Sequence, residues 1–174
     1  MMGYLNGIKM LYYQLKYKEL ILDGKNQLSK NAFLQIRAGG RITLKGNVQL
    51  NRNTALMSSG GHIEIGENVS FNRNSIAVSK QRISIGKNTR IGPNVCIYDH
   101  DHNFDYENGV NINEFKCSSI EIGENCWIGA NVVILKGVHI GNNCVIGAGV
   151  VLGEDVPAHT LVKGNRDIEK VKIR

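Results

Sequence analysis

An aliphatic residue recurs at every sixth position through the C-terminal half of the chain, at Ile122, Ile128, Ile134, Ile140, Ile146 and Leu152. Asn or Gly stands three positions after each of the first five, and a small or β-branched residue stands four positions after. A period of six fits neither a helix nor a single strand, whose side-chain periods are 3.6 and 2. Because Asn and Gly tolerate positive φ, the pattern indicates short strands separated by sharp corners, which is typical of a parallel β-helix.

Three hexads return the chain to a point above its start, so about 18 residues would form one coil. The aliphatic side chain points inward and stacks on its counterpart in the next coil, while backbone groups pair between coils at about 4.8 Å. No coil buries its apolar side alone, so stacking supplies the stability. Ordinary strands joined by glycine-rich turns are the alternative, which six uninterrupted registers disfavour.

The same six-residue step extends towards the N-terminus, through Leu44, Leu50 and Leu56, then Ile65, Phe71 and Ala77, then Ile85, Ile91 and Ile97. The six-residue spacing is interrupted between one set and the next, which we attribute to insertions of two or three residues at the corners. We therefore predict a parallel β-helix over residues 23–160, interrupted by a polar, aromatic loop at 98–121. A basic tail follows at 161–174.

Residues 1–22 are predicted to form a helical or extended N-terminal arm, with leucines among lysines and four tyrosines. Two interpretations remain open: an amphipathic segment that docks on a membrane surface or a partner, and a helix that covers the open end of the solenoid. Nothing resembles a signal peptide or a bilayer-spanning run, so we expect a cytoplasmic protein, with the inner membrane surface as a further location.

The net charge of +6 and the pI of about 9.2 favour an anionic partner. A basic run of five residues is missing, as is any nucleic-acid-binding motif, so nucleic acid is not expected as a partner. The four cysteines form no CxxC pair. Cys126 and Cys144 are 18 residues apart at the small inward position, where core packing is favoured over reactivity.

Candidate chemistry concentrates in the cluster Asp99-His100-Asp101-His102, where the periodic pattern stops. His and Asp are both metal ligands, but adjacent residues of a strand point to opposite faces, so only Asp99 with Asp101 or His100 with His102 could share one. No third ligand is nearby, so we expect no metal site. General base catalysis by one histidine and a solvated, inactive loop remain equally open on the residues alone.

The hexads, the long interruption and the ending VIGAGVVLGEDVPAHTLVKGN resemble the hexapeptide-repeat acyltransferases over roughly residues 60–165. Within them the chain is most similar to the galactoside and maltose acetyltransferases and to the O-acetyltransferases of bacterial polysaccharides. The resemblance implies an all-β solenoid of the left-handed parallel β-helix type. It also implies a homotrimer with active sites between subunits.

The resemblance also implies site residues. The family pattern NVxIYTATH corresponds to NVCIYDHDH and puts the catalytic histidine on His102. The NxN pattern puts an acceptor-binding residue on Asn72. The WIG and GAG segments put Ala130 and Ala148 against the pantetheine arm of CoA, and Lys170 of the tail is aligned with a CoA phosphate contact.

We therefore expect an acetyl-CoA-dependent O-acetyltransferase that acts on a sugar or polysaccharide-precursor hydroxyl, with His102 as general base. The alternatives are an N-acetyltransferase on an amino sugar, a non-catalytic solenoid that binds a partner, and the zinc-dependent carbonic anhydrase branch of the fold. The family's acidic acceptor contact falls on Ser79-Lys80, which carries no acid. This departure argues against a simple galactoside enzyme.

Overall fold

The structure, a computed structural model, describes residues 2–164, with side chains described from residue 7. Helix α1 (Met2–Lys16) precedes a solenoid of short strands, as the sequence predicted. The strands are β1 (Leu20–Leu22), β2 (Gln27–Leu28), β3 (Phe33–Arg37), β4 (Arg41–Leu44), β5 (Gln49–Leu50), β6 (Ala55–Ser59), β7 (His62–Ile65), β8 (Ser70–Phe71), β9 (Ile76–Ser79), β10 (Arg82–Ile85), β11 (Arg90–Ile91), β12 (Cys96–Tyr98), β13 (His100–Asp105), β14 (Gly109–Cys117), β15 (Ile120–Ile122), β16 (Trp127–Ile128), β17 (Val133–Ile134), β18 (His139–Ile140), β19 (Val145–Ile146), β20 (Val151–Leu152) and β21 (Leu161–Val162).

Within residues 2–164 all of these strands except β13 and β14 form three parallel sheets, one on each side of the coil. Sheet A contains β1, β4, β7, β10, β15 and β18; sheet B contains β2, β5, β8, β11, β16, β19 and β21; sheet C contains β3, β6, β9, β12, β17 and β20. The aliphatic registers read from the sequence pair directly between coils, as in Ile85 with Ile122 and Ile91 with Ile128. The parallel β-helix is therefore confirmed.

The inward side chains form one continuous core along the solenoid axis. The largest side chains that are fully buried are Phe71, Leu34, Ile42, Leu44, Leu50, Leu56, Ile63, Ile65, Ile83, Ile97, Ile120 and Ile128. Cys126 and Cys144 are also buried, which confirms their packing role. Burial raises the pKa of the Cys126 thiol, so the group stays neutral inside the stack.

The interruptions of the six-residue spacing correspond to coils of different length. Ile42 pairs with Ile63 and Ile63 pairs with Ile83, whereas Glu121 pairs with His139 only 18 residues later. The extra residues of the N-terminal coils lengthen the strands of sheets A and C on either side of the corner between them. The insertions therefore widen the coil at one corner and leave the inward register intact.

Left-handed residues mark the other two corners, where asparagine occupies successive coils. The corner between sheets A and B carries Asn47, Asn68, Asn88, Asn125 and Asn143, and the corner between sheets B and C carries Asn53, Asn74, Asn94 and Asn131, all with φ between 56° and 61°. Within each row, every side-chain amide except the last donates to the amide oxygen one coil on, at 3.0–3.3 Å. Asparagine thus supplies both the backbone conformation and a ladder between coils.

Helix α1 lies against the first coil. Tyr13 is buried, and Met10 and Tyr17 pack against the core. Lys9 Nζ donates to the Ser29 carbonyl oxygen at 3.0 Å. Partial burial lowers the pKa of Lys9. In the part of the chain that the structure describes, there is no helix with the length and apolar content to cross a bilayer.

We expect Asn88→Ala to lower the free energy of unfolding by about 1–2 kcal/mol, because alanine at φ 61° is strained and the ladder loses two hydrogen bonds. Urea denaturation followed by circular dichroism measures the change. Asn88→Gly is the matched control, since glycine accepts this φ and loses only the hydrogen bonds. Equal loss in both variants would contradict a conformational role for Asn88.

Candidate active site

A β-hairpin interrupts the coils between β12 of sheet C and β15 of sheet A. Strands β13 and β14 pair antiparallel, and Ser118 N donates to the Asp99 carbonyl oxygen at 2.8 Å at the hairpin's foot. The sequence predicted only a loop here, because most side chains on both strands are exposed and no alternation of apolar residues reveals the pairing. The insertion leaves the solenoid register unbroken, since Ile83 pairs with Ile120 across it.

The buried carboxylate of Asp99 organises the foot of this hairpin. Its side chain is fully buried, and it accepts hydrogen bonds from Ser79 Oγ at 2.7 Å and from the backbone N–H groups of Lys80 and Gln81 at 2.8 and 2.9 Å. The His100 imidazole Nδ1 lies 3.0 Å from Oδ1 of the same carboxylate, the oxygen that also accepts from Lys80 N. A buried carboxylate with this many donors is held in one orientation.

His102 lies two residues further along β13, opposite Phe115 of β14. The two rings are 4.7 Å apart between centroids, and Phe115 also contacts the edge of His100 at 5.5 Å. Lys80 Nζ lies 3.6 Å from the centroid of the Phe115 ring, as in a cation–π contact. The aromatic ring therefore fixes the position of the otherwise exposed His102 imidazole.

The hairpin register shifts directly after His102, where a β-bulge separates its pairing with Phe115 from that of Asn103 with Asn111. Bulges bend a strand and redirect its side chains, and they are common beside active sites. An exposed imidazole with a fixed ring can accept a proton from a bound hydroxyl. Among the described residues, no three His, Cys, Asp or Glu side chains are grouped so as to hold a metal ion.

The alanines that the sequence singled out lie at the corner between sheets B and C. Ala130 and Ala148 occupy successive coils, and Gly149 N donates to the Ala130 carbonyl oxygen at 2.8 Å. A Cβ added to Gly129 would lie 2.6 Å from the Ala148 backbone nitrogen, so glycine is required for the coils to approach here. Small side chains thus leave a ridge of accessible backbone at this corner. The indole of Trp127 is 61% exposed beside it.

Asn72 lies at the same corner, two coils before Ala130. It is exposed, and its Oδ1 accepts a hydrogen bond from Arg73 N at 2.8 Å. His102 leaves the coils at a different corner, between sheets C and A. One chain therefore brings Asn72, Ala130 and Ala148 to one edge and carries His102 on another. Lys170 lies outside the described residues.

An open groove of about 850 Å³ runs along the outer face of sheet A. Its lining includes Arg82, Lys87 and His139. The groove does not contain the His102 side chain or the two alanines.

Comparison with known proteins identifies the family. Residues 119–154 match the model of the bacterial transferase hexapeptide (six repeats). The solved structure of a maltose O-acetyltransferase from Clostridium difficile 630 is 30% identical, with a TM-score of 0.57, and the match covers 88% of this chain and 72% of that one. The chain belongs to the hexapeptide-repeat transferases.

Two further proteins that are similar to this hexapeptide-repeat transferase are named as acetyltransferases. A hexapeptide-repeat acetyltransferase from Vibrio cholerae O1 biovar eltor, solved with acetyl coenzyme A, is 27% identical, with 88% of this chain and 71% of that chain covered and a TM-score of 0.61. "Putative acetyltransferase YvoF" of Bacillus subtilis (strain 168) is 39% identical over 85 residues, which cover 49% of this chain and 45% of that protein. The chain spans less than half the length of the curated relatives it matches.

Sequence reasoning about this hexapeptide-repeat transferase missed the roles of Asp99 and Phe115. One signal was available for Asp99: two residues after the inward Ile97, it continues a buried column that contains Ser79 one coil earlier and Ser58 two coils earlier. No comparable signal identifies Phe115, because its partner is set by the hairpin bulge. Ser79 and Lys80 stand where the resemblance places an acidic acceptor contact. In this structure both residues instead donate hydrogen bonds to the carboxylate of Asp99.

We expect Asp99→Asn to destabilise the fold by about 2–3 kcal/mol, because the amide NH₂ would face the donors that now bind a carboxylate. Hydrogen exchange of residues 100–117 should accelerate, as measured by mass spectrometry. Asp101→Asn is the matched control. Asp101 is exposed and bonds only Lys136 at 2.5 Å among the contacts described, so its loss should cost less than about 1 kcal/mol. Equal effects of the two variants would refute the anchoring role of Asp99.

Proposed function

We propose that this protein is an acetyl-CoA-dependent O-acetyltransferase that acts on a hydroxyl group of a sugar or polysaccharide precursor, with His102 as the general base. The observation that carries the proposal is the His102 imidazole, fixed by Phe115 at the foot of a hairpin that interrupts the coils. Similarity to the maltose O-acetyltransferase of Clostridium difficile and to the acetyl-CoA-bound protein of Vibrio cholerae supports the donor and the reaction class.

The outer face of sheet C supports assembly into a trimer. From β6 to β20 its outward residues are apolar except Ser59, whereas β3 also presents Gln35 and Arg37. Sheet A instead carries ion pairs, in which Glu64 bonds Lys45 and Arg82 at 2.5 and 2.8 Å. The apolar outward residues of sheet C are Phe33, Ala55, Met57, Ile76, Val78, Cys96, Tyr98, Val133 and Val151, and the exposed Leu135 directly follows β17. An apolar face of this extent is typical of an interface between subunits.

Three copies related by a threefold axis would turn their sheets C towards that axis. The corner between sheets C and A of one copy then meets the corner between sheets B and C of its neighbour. This arrangement brings His102 of one copy to Asn72, Ala130 and Ala148 of the next. The groove on sheet A and the exposed indole of Trp127 form facing walls of the cleft between them.

The heights along the axis agree with this assignment. The hairpin leaves the coil of β11 and β12; Asn72 lies one coil before it, and Ala130 and Ala148 lie one and two coils after it. Successive coils are about 4.8 Å apart. A threefold axis parallel to the solenoids keeps each residue at the same height in every copy. The base would therefore lie between the acceptor-binding residue and the ridge that would contact the pantetheine arm of the donor.

The reaction follows from this order. The sugar hydroxyl attacks the thioester carbonyl, and His102 takes the hydroxyl proton as the new C–O bond forms. The tetrahedral intermediate collapses with cleavage of the C–S bond, and the proton is delivered to the CoA thiolate. The acetyl group passes directly from donor to acceptor, with no covalent intermediate on the protein. Lys170 and the basic tail are proposed to contact the CoA phosphates.

We expect His102→Ala to lower kcat by about 10²–10⁴, with the Kd for CoA nearly unchanged, because the variant loses proton transfer and keeps the donor ridge. CoA thiol release from acetyl-CoA with a panel of galactosides, maltose, amino sugars and oligosaccharides measures turnover. Calorimetry measures CoA binding, and NMR identifies the acetylated atom.

His62→Ala is the control for loss of an imidazole, since His62 bonds Thr43 Oγ1 at 3.1 Å on an earlier coil of sheet A. Wild-type turnover by His102→Ala would contradict its role as the base. Failure of the parent protein to bind CoA would refute the proposed activity as a whole.

Mixing two inactive variants tests the shared site. His102→Ala removes the base, and Ala148→Trp fills the donor ridge with an indole. Co-expressed chains should regain part of the wild-type activity, because some clefts would combine an intact His102 with an intact Ala148 from another copy. Each variant expressed alone is the control. No recovery in mixed trimers would contradict a site formed between subunits.

A further inference from the structure

Helix α1 is apolar on two opposite faces. Met10, Tyr13 and Tyr17 face the first coil and pack against the core. A second stripe points away from the coils, and its side chains are 55–79% exposed: Ile8, Leu11, Tyr12 and Leu15. These four residues have the i, i+3, i+4, i+7 spacing of one helix face.

Covering the open end of the solenoid requires only the inner face of the helix. Apart from contacts of Tyr12 within α1 itself, no packing partner is described for the outer stripe among residues 7–164, although it exposes two leucines, an isoleucine and a tyrosine. An exposed apolar stripe of this kind is typical of a surface that contacts a partner. We call it the α1 stripe.

The charges in and near helix α1 are mainly positive. The helix sequence from Met2 to Lys16 contains no acidic residue. Residues 7–30 contain five lysines against Glu19 and Asp23, a net charge of +3. Lys16 extends beside the stripe, with Nζ 5.6 Å from the centroid of the Tyr12 ring. Apolar side chains flanked by lysines, with a tyrosine among them, suit the boundary between water and an anionic lipid surface.

We propose that the α1 stripe binds the surface of an anionic lipid bilayer, with the helix axis parallel to the membrane and the solenoid standing away from it. Ile8, Leu11 and Leu15 enter the boundary between headgroups and acyl chains. The lysines contact lipid phosphates. This inference does not depend on acetyl transfer.

The end-on position of α1 makes the contact multivalent. The helix lies on the first coil, so its outer face points along the solenoid axis. In the trimer proposed above, three parallel solenoids present three stripes to one plane. Binding by three linked stripes is far tighter than binding by one, because the second and third contacts form without further loss of translational freedom. This step alone depends on the trimer.

Vesicle flotation with the full-length chain tests the proposal. The wild-type protein should float with vesicles containing about one third phosphatidylglycerol, and only weakly with pure phosphatidylcholine, since each lysine near an anionic surface contributes about 1 kcal/mol. Raised salt should reduce the bound fraction. Leu11→Gln/Leu15→Gln should reduce binding at least about tenfold, because two side chains can no longer enter the apolar layer.

Tyr106→Ser/Val110→Gln is the matched control, since it removes two exposed apolar side chains from the hairpin and leaves α1 intact. Circular dichroism confirms that both double variants fold. Equal flotation of the wild type and Leu11→Gln/Leu15→Gln would overturn the proposal. The proposal would also be overturned if the wild type did not float. A smaller oligomer in the Leu11→Gln/Leu15→Gln variant would then indicate that a second copy covers the stripe.

Discussion

The structure depends on the stacking of one inward side chain on the next, coil after coil. Each coil is too small to bury an apolar side by itself, so its stability comes from the coils before and after it. The close approach of backbones sets the spacing, and the glycines after the inward residues permit that approach. At Gly86, an added Cβ would lie 2.6 Å from the Glu124 backbone nitrogen. Stacking therefore constrains the inward and corner positions and leaves the outward positions to vary.

Because the constraint is local, a coil can be extended without disturbing the rest. The hairpin lengthens the step from Ile83 to Ile120, yet the two residues pair as if it were absent. The longer N-terminal coils widen one corner in the same way. Insertions of this kind project from a rigid frame, which is where a side chain such as His102 can be placed accurately and still reach a ligand.

The six-residue period made the coils predictable, since the positions that repeat are those that stacking constrains. It was weakest in the first coil, where Leu28 and Leu34 are buried without a recognised pattern in the sequence. The environment of His102 was not predictable. The Phe115 contact depends on a bulge, and the Asp99 bonds depend on which backbone amides meet a buried carboxylate. These contacts join residues that are distant in sequence and follow no period.

The outward positions carry the differences between the three sides of the solenoid. Sheet A presents ion pairs, sheet C presents apolar side chains, and sheet B changes from Gln27 and Gln49 to Trp127 and Leu161 along its length. All three share the same inward register, so the requirements of folding cannot account for this contrast. From β6 to β20, sheet C carries no charged outward residue, and the proposed trimer would account for this, because another copy would remove that side from water. In that proposed trimer the adjoining corners of two copies would meet, and the proposed site lies at that contact.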